Sequence, residues 1–189
     1  FQVITEAHRY TLRTGLTAEA GDRFLAVAAS SIRAPDTAQP VSPSAIRSPT
    51  QGADHILIID EEFRPAAERL AAFHRSRGQR VAIVNVQEIY NEFYDGIRHP
   101  RAIRDFLAYA YANWQPPAPL FVTLLGDAHA NLRNYNPTVY LTIPIRIPPY
   151  LVWEDPWLGQ APADNAFVTI VGDDPLPDMI IGRIAVNTL

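Results

Sequence analysis

The residues best placed to do chemistry are carboxylates. Asp127 closes residues 119–127, PLFVTLLGD, an apolar run without alternation. Asp164, Asp173, Asp174 and Asp178 lie in or near VGDDPLPD at residues 171–178. Pro175 and Pro177 push that turn toward extended backbone, in which residues 174, 176 and 178 project with a period near two. Such a segment offers carboxylates and backbone carbonyls together, the oxygen shell that hard cations, calcium above all, take up. Asp and Pro are equally plain turn formers, and spacing alone leaves both readings open. No His or Cys is interleaved, which speaks against zinc.

Other chemistries are poorly served. The chain has no Cys, which excludes disulfides, thiolate metal sites and a cysteine nucleophile within these residues. It has no GxSxG nucleophile elbow. Neither GxGxxG nor GxxxxGK[ST] occurs, and the residues after HILIID are EEFRP, whose acids repel phosphate. Of the five His residues, His129 alone is placed like a catalytic group, just past the apolar run. No nucleophile can be named beside it, so an ordinary loop histidine is the favoured reading. The 16 basic residues are all Arg, the net charge is −4, and no basic stripe with interleaved aromatics appears, so nucleic acid is not an expected partner. No run is long enough to span a membrane and no signal peptide is in view. The chain begins at Phe1 and reads as a piece of a longer one.

The elements that must position these residues form an α/β pattern. Residues 119–127 read as a strand covered on both faces, central in a parallel sheet, with Asp127 at the carboxyl end where ligands collect. Before it, HILIID at residues 55–60 and RVAIVN at residues 80–85 read as two more strands. Pro65 suits a helix start and Gly78 its stop, with Ala66, Leu70 and Phe73 as the apolar stripe. Residues 87–93 suit a short helical turn. Pro100 opens a further helix with Ile103, Phe106, Leu107, Ala110 and Trp114 on one face. Right-handed crossovers then give the strand order 2-1-3. Residues 131–160 are long and Pro-rich, with residues 138–152 forming a hairpin or an extended run. A last strand covers residues 179–186. Upstream, residues 1–34 hold two strand-like stretches, 2–12 and 23–29, and form a small β-type appendage. Residues 35–53 are a Pro/Ser-rich linker, and residues 54–189 are the main domain.

Taken in order, HILIIDEEF, AAERLAAFHRSRGQRVAIVNVQEIYNEFYDG, AIRDFLAYAYANW, FVTLLGD and ADNAFVTIVGDDPLPDMIIGRIAV resemble the N-terminal part of the catalytic domain of the gingipain family of cysteine peptidases. The resemblance covers residues 54–189 and rests most on Gly126-Asp127 and on the acidic turn leading into Ile181-Gly182-Arg183. It implies a caspase-like three-layer sandwich with a mostly parallel sheet, present as a partial domain. It also implies peptide-bond cleavage by a His–Cys pair, the His within Gly-His-Gly and the Cys after a later strand. Neither motif occurs here. The chain is thus expected to hold no catalytic residue and to be inactive alone, the first subdomain of a secreted or cell-surface endopeptidase. Polypeptide substrates would bind through the missing half.

The family also carries a structural calcium. Its ligands by position would be the Asp127 carboxylate, the Val171 carbonyl, the Asp174 carboxylate, the Leu176 carbonyl and the Asp178 carboxylate, an Asp where the family has Glu. Two alternatives remain open: a non-catalytic surface binding or assembly module that keeps the peptidase fold, and an unrelated flavodoxin-like ligand-binding domain.

Overall fold

A computed structural model describes residues 2–6, 9–13, 15, 17, 19, 23, 27, 40–129, 131–132, 144–157 and 159–188. The chain divides into two compact units, Phe1–Pro40 and Val41–Leu189. In the first, β1 (Gln2–Glu6) and β2 (Arg9–Arg13) pair antiparallel, Gln2 opposite Arg13. The stretch 2–12 expected as one strand is therefore a hairpin, and the stretch 23–29 lies almost wholly outside the described residues.

The second unit is built on a parallel sheet of β3 (His55–Ile59), β4 (Val81–Asn85), β5 (Phe121–Leu125) and β8 (Ile180–Ile184), in the order β4-β3-β5-β8. This is the expected 2-1-3 order with the last strand added beside β5. The strand buried along its whole length is β3, not β5. Every residue of HILII is covered, since β3 lies between β4 and β5 under helices on both faces. In β5, Phe121 and Thr123 are only partly covered.

Helix α1 (Arg64–Arg75) carries Pro65 in its first turn and is followed by Gly78 at φ 86°, a turn conformation that suits glycine. Its buried residues are Ala67 and Ala71, packed with Phe63, Leu57, Ile59 and Leu125. The expected stripe through Phe73 is corrected: Phe73 is 48% exposed, with the Arg77 guanidinium 4.3 Å above its ring. The alanines let the helix approach the sheet closely, which a phenylalanine would prevent. Helices α2 (Val86–Phe93) and α3 (Pro100–Asn113) cover the opposite face, burying Ile89, Tyr90, Ile103, Phe106, Leu107 and Ala110 against Ile56, Ile58, Val122 and Leu124. The Asn85 side chain caps α2 through Gln87 N–H, and His99 Nδ1 caps α3 through Arg101 N–H.

Residues 41–53 belong to this second unit rather than running as a free linker. Ile46 and Ala53 are buried in its core. Trp114 Nε1 donates to the Ile46 carbonyl at 2.9 Å, and Tyr109 Oη donates to the Arg47 carbonyl at 2.7 Å. The Pro-rich excursion after β5 is described from residue 144, where it returns to a hairpin of β6 (Leu151–Asp155) and β7 (Gly159–Pro162). Of the stretch 138–152 expected to form a hairpin or an extended run, residues 138–143 lie outside the described residues, and residues 151 and 152 open this hairpin. A short 3-10 turn, Asp164–Phe167, follows.

Candidate functional site

The carboxyl ends of the sheet strands carry Asp60 after β3, Asn85 closing β4, Asp127 after β5 and Asn187 after β8. This is the edge where open α/β sheets place their ligands. Here it is occupied by the chain itself. Asp127 N–H donates to the Val186 carbonyl at 3.0 Å, and the Asp127 carbonyl accepts from Arg146 N–H at 3.0 Å. The Asp127 carboxylate accepts from Ala128 N–H at 2.8 Å and from Asn187 Nδ2 at 3.1 Å. Its two oxygens are thus engaged by the Ala128 backbone and the Asn187 side chain, which ties the loops after β5 and β8 together.

Two arginines complete the bracket. Arg146, with its side chain 14% exposed, donates from Nη2 to the Asn187 carbonyl at 3.0 Å. It pairs with Asp60 at 3.5 Å and with Glu62, and its guanidinium lies 5.3 Å from the Phe63 ring. Arg183 sits within β8 and clasps Asp164 with two nitrogens, Nε at 2.7 Å and Nη2 at 2.8 Å. Its Nη1 donates to the carbonyls of Gly126 at 2.9 Å and Ile147 at 2.8 Å. A planar guanidinium with five donors suits this fork on one side and two carbonyls on the other.

Gly126 makes the approach possible. Its φ is 147°, and a Cβ there would stand 2.6 Å from Arg146 Cβ. Glycine at this position therefore answers both to the backbone angle and to the passage of the returning chain. Beneath lies the Tyr90 hydroxyl, buried without a partner, and burial pushes its proton affinity up. On the rim, the hydrogen bond from Arg64 holds the Glu61 carboxyl below its ordinary range, and Asn85 Nδ2 donates to Glu61 at 2.9 Å.

The structure does not bring the five expected calcium ligands together. β8 runs parallel to β5 with Ile180 opposite Phe121 and Ile184 opposite Leu125. The acidic turn, which precedes β8, is therefore at the amino end of the sheet, and Asp127 is at the carboxyl end. Eight residues of extended chain separate their levels, about 26 Å at about 3.3 Å per residue, far beyond the shell of one ion. Within the turn, Asp178 Oδ2 accepts from Ile170 N–H at 2.8 Å and Val171 N–H at 2.9 Å. Those bonds hold the Asp178 carboxyl below its usual pKa. Asp174 Oδ1 accepts from Leu176 N–H at 2.8 Å, and Leu176 is exposed. The carboxylates of Asp174 and Asp178 close turns. Among the described residues no group of three or more His, Asp or Glu side chains could hold a metal ion. A calcium shared by Asp127, Val171, Asp174, Leu176 and Asp178 does not fit this fold.

His129 accepts from Asn131 N–H on Nδ1 at 3.2 Å, a loop role. Arg146 and Arg183 were missed by a reading that followed carboxylates. Arg183 had a signal, since a cation within an apolar parallel strand needs a partner. Arg146, in a Pro-rich excursion, had none.

Residues 48–189 match Peptidase family C25. No curated protein matches the chain. Among solved structures the chain is similar to dimeric latent PorU from Porphyromonas gingivalis, at 21% identity and a TM-score of 0.61, over 73% of this chain and 14% of that one. It is also similar to the complex of the pro- and mature domains of RgpB from the same organism, at 18% identity and a TM-score of 0.49, over 71% of this chain and 25% of that one. The PorU likeness is one of fold, the caspase-like α/β arrangement. With the family match spanning well over half of its length, the chain belongs to Peptidase family C25, the gingipain family of cysteine peptidases.

Proposed function

We propose that this chain is the first subdomain of a gingipain-like cysteine endopeptidase, acting on polypeptides outside the cell or at its surface, with the His–Cys pair supplied by residues beyond Leu189. The observation that carries the proposal is the match of residues 48–189 to Peptidase family C25 in a chain without any Cys. The sheet supports it. Among the described residues β8 pairs on one edge alone, with β5, and Ile180 and Ile184 are 59% and 46% exposed. Parallel sheets are ordinarily covered on both faces, and exposed apolar edge strands are ordinarily covered or paired, so these isoleucines suit a surface that further chain covers. The carboxyl-end bracket of Asp127, Arg146 and Arg183 then has the task of keeping this half rigid beside the half that reacts. No described helix is long and apolar enough to cross a membrane.

The test compares the 189-residue chain with the same chain continued through its reading frame. The short chain is expected to leave peptide substrates intact, whereas the continued chain hydrolyses them and is silenced by a thiol-alkylating reagent. Hydrolysis by the Cys-free chain, or hydrolysis by the longer one that ignores alkylation, refutes the proposal. A continued chain that lacks both Gly-His-Gly and a strand-terminal Cys refutes it as well.

A further inference from the structure

The amino end of the sheet holds a buried histidine that peptide hydrolysis does not call upon. His55 opens β3 and is 6% exposed. Its Nε2 lies 2.9 Å from Thr123 Oγ1 on β5. Its ring meets that of His74, from the last turn of α1, at 4.6 Å and 77°, and that of Phe121 at 5.9 Å. His74 in turn has Nδ1 2.7 Å from Gln79 Oε1. His55 Nδ1 is buried and has no hydrogen-bond partner.

The charged groups around this ring offer a proton no welcome. Asp54, next in the chain, is held by Arg80 at 2.7 Å, and the Arg80 carbonyl accepts from His55 N–H at 3.1 Å. From α1 come His74 itself and Arg75, whose Nη2 donates to the Val81 carbonyl of β4 at 3.0 Å. From β5 comes the Thr123 hydroxyl. A second proton on His55 would leave a buried N–H without an acceptor and a cation beside His74.

We propose that the His55–His74 pair is an acid-sensitive joint, which holds the C-terminal turn of α1 on the amino end of the sheet and loosens when that end takes up a proton. The arrangement joins α1, β3 and β5 through one neutral ring, so a single protonation weakens three elements together. Burial first, and His74 second, bring the His55 pKa down from its ordinary 6.5 to about 4. The sign follows from linkage. The unfolded chain binds the proton more readily, so the full stabilisation is present above pH 6.5 and is lost as pH falls toward about 4.

Two measurements on the protein test this. In a proton NMR titration, the His55 ring is expected to titrate more than one pH unit below 6.5, and to move back toward 6.5 in H74Q. In equilibrium unfolding, the wild-type unfolding constant is expected to rise roughly twentyfold more than that of H55Q between pH 7 and pH 5. A side chain that only packs would give an offset between the two proteins that does not change with pH. Titration at 6.5 or above, an unchanged His55 titration in H74Q, or parallel loss of stability in wild type and H55Q overturns the proposal. Should H55Q fail to fold, the titration decides by itself.

Discussion

Replacing Arg183 by Met isolates the clasp at the carboxyl end of the sheet. Met keeps the stem that packs within β8 and removes the guanidinium. The Arg183 and Asp164 side chains are 15% and 25% exposed, so solvent screens the pair little. Removing the cation leaves the Asp164 carboxylate without its two donors, and the carbonyls of Gly126 and Ile147 without theirs. Breaking a largely buried pair on one side costs about 3–5 kcal/mol, most of it the stranded partner. We expect about 3 kcal/mol here, the low end, because Asp164 can turn partly to water. For a unit of this size that is a fall in Tm of roughly 6–12 °C. Urea unfolding of wild type, R183M, D164N and the double variant reads it. The double variant should lose about 2 kcal/mol less than the sum of the single losses, since the two side chains act as one contact. A loss in R183M below about 0.5 kcal/mol, the level of an ordinary surface change, or strict additivity in the cycle, would refute the clasp.

G126A combines an unfavourable φ with a Cβ 2.6 Å from Arg146 Cβ, so it should destabilise by about 2–3 kcal/mol. Hydrogen exchange should show the loss first at residues 144–150. W114F deletes the buried donor to the Ile46 carbonyl and should cost about 1–3 kcal/mol, with faster proteolytic nicking of residues 41–53. The Asp54 carboxyl is held below its usual range chiefly by the Arg80 side-chain hydrogen bond, so its contribution is present above pH 3.8 and is lost as pH falls through the lowered folded value. Acid melts of D54N should lack that component, and melts parallel to wild type refute it. Whatever shift millimolar calcium gives in the Tm, D127A should show the same one, because Asp127 stands at the opposite end of the sheet from the acidic turn. A calcium response abolished in D127A refutes that placement.

Much of the fold was legible because the chain punctuates itself. Pro65 and Pro100 stand in the first turns of helices, Gly78 follows the end of α1, and the alternation of apolar runs with helical spacing fixes the parallel order. The failures share one cause: composition says what can be buried but not how close two elements come. Phe73 was assigned to the core on size, yet Ala67 and Ala71 are the residues that permit contact. The run 119–127 is the longer of the two, yet the neighbours on both edges of β3 and the helices over both faces bury HILII completely. Residues 41–53 look like linker, because the bonds that hold them come from Trp114 and Tyr109, some sixty residues away.

The candidate site failed for a related reason. Asp127 and the acidic turn are both acidic and both end or begin a strand, and the spacing does not say which way the last strand runs beside β5. In a parallel pair, the residue after one strand and the residue before the next lie at opposite ends by necessity. The register of β5 with β8 thus separates Asp127 from Asp178 whatever their chemistry. What the carboxyl end requires instead is donors, because the loops that cross it expose carbonyls of Gly126, Ile147 and Asn187. Arg183 and Arg146 meet that need, and the acids Asp60, Glu62 and Asp164 follow as partners of the arginines. The carboxylates at this edge are therefore better understood as consequences of the guanidinium groups than as sites of their own.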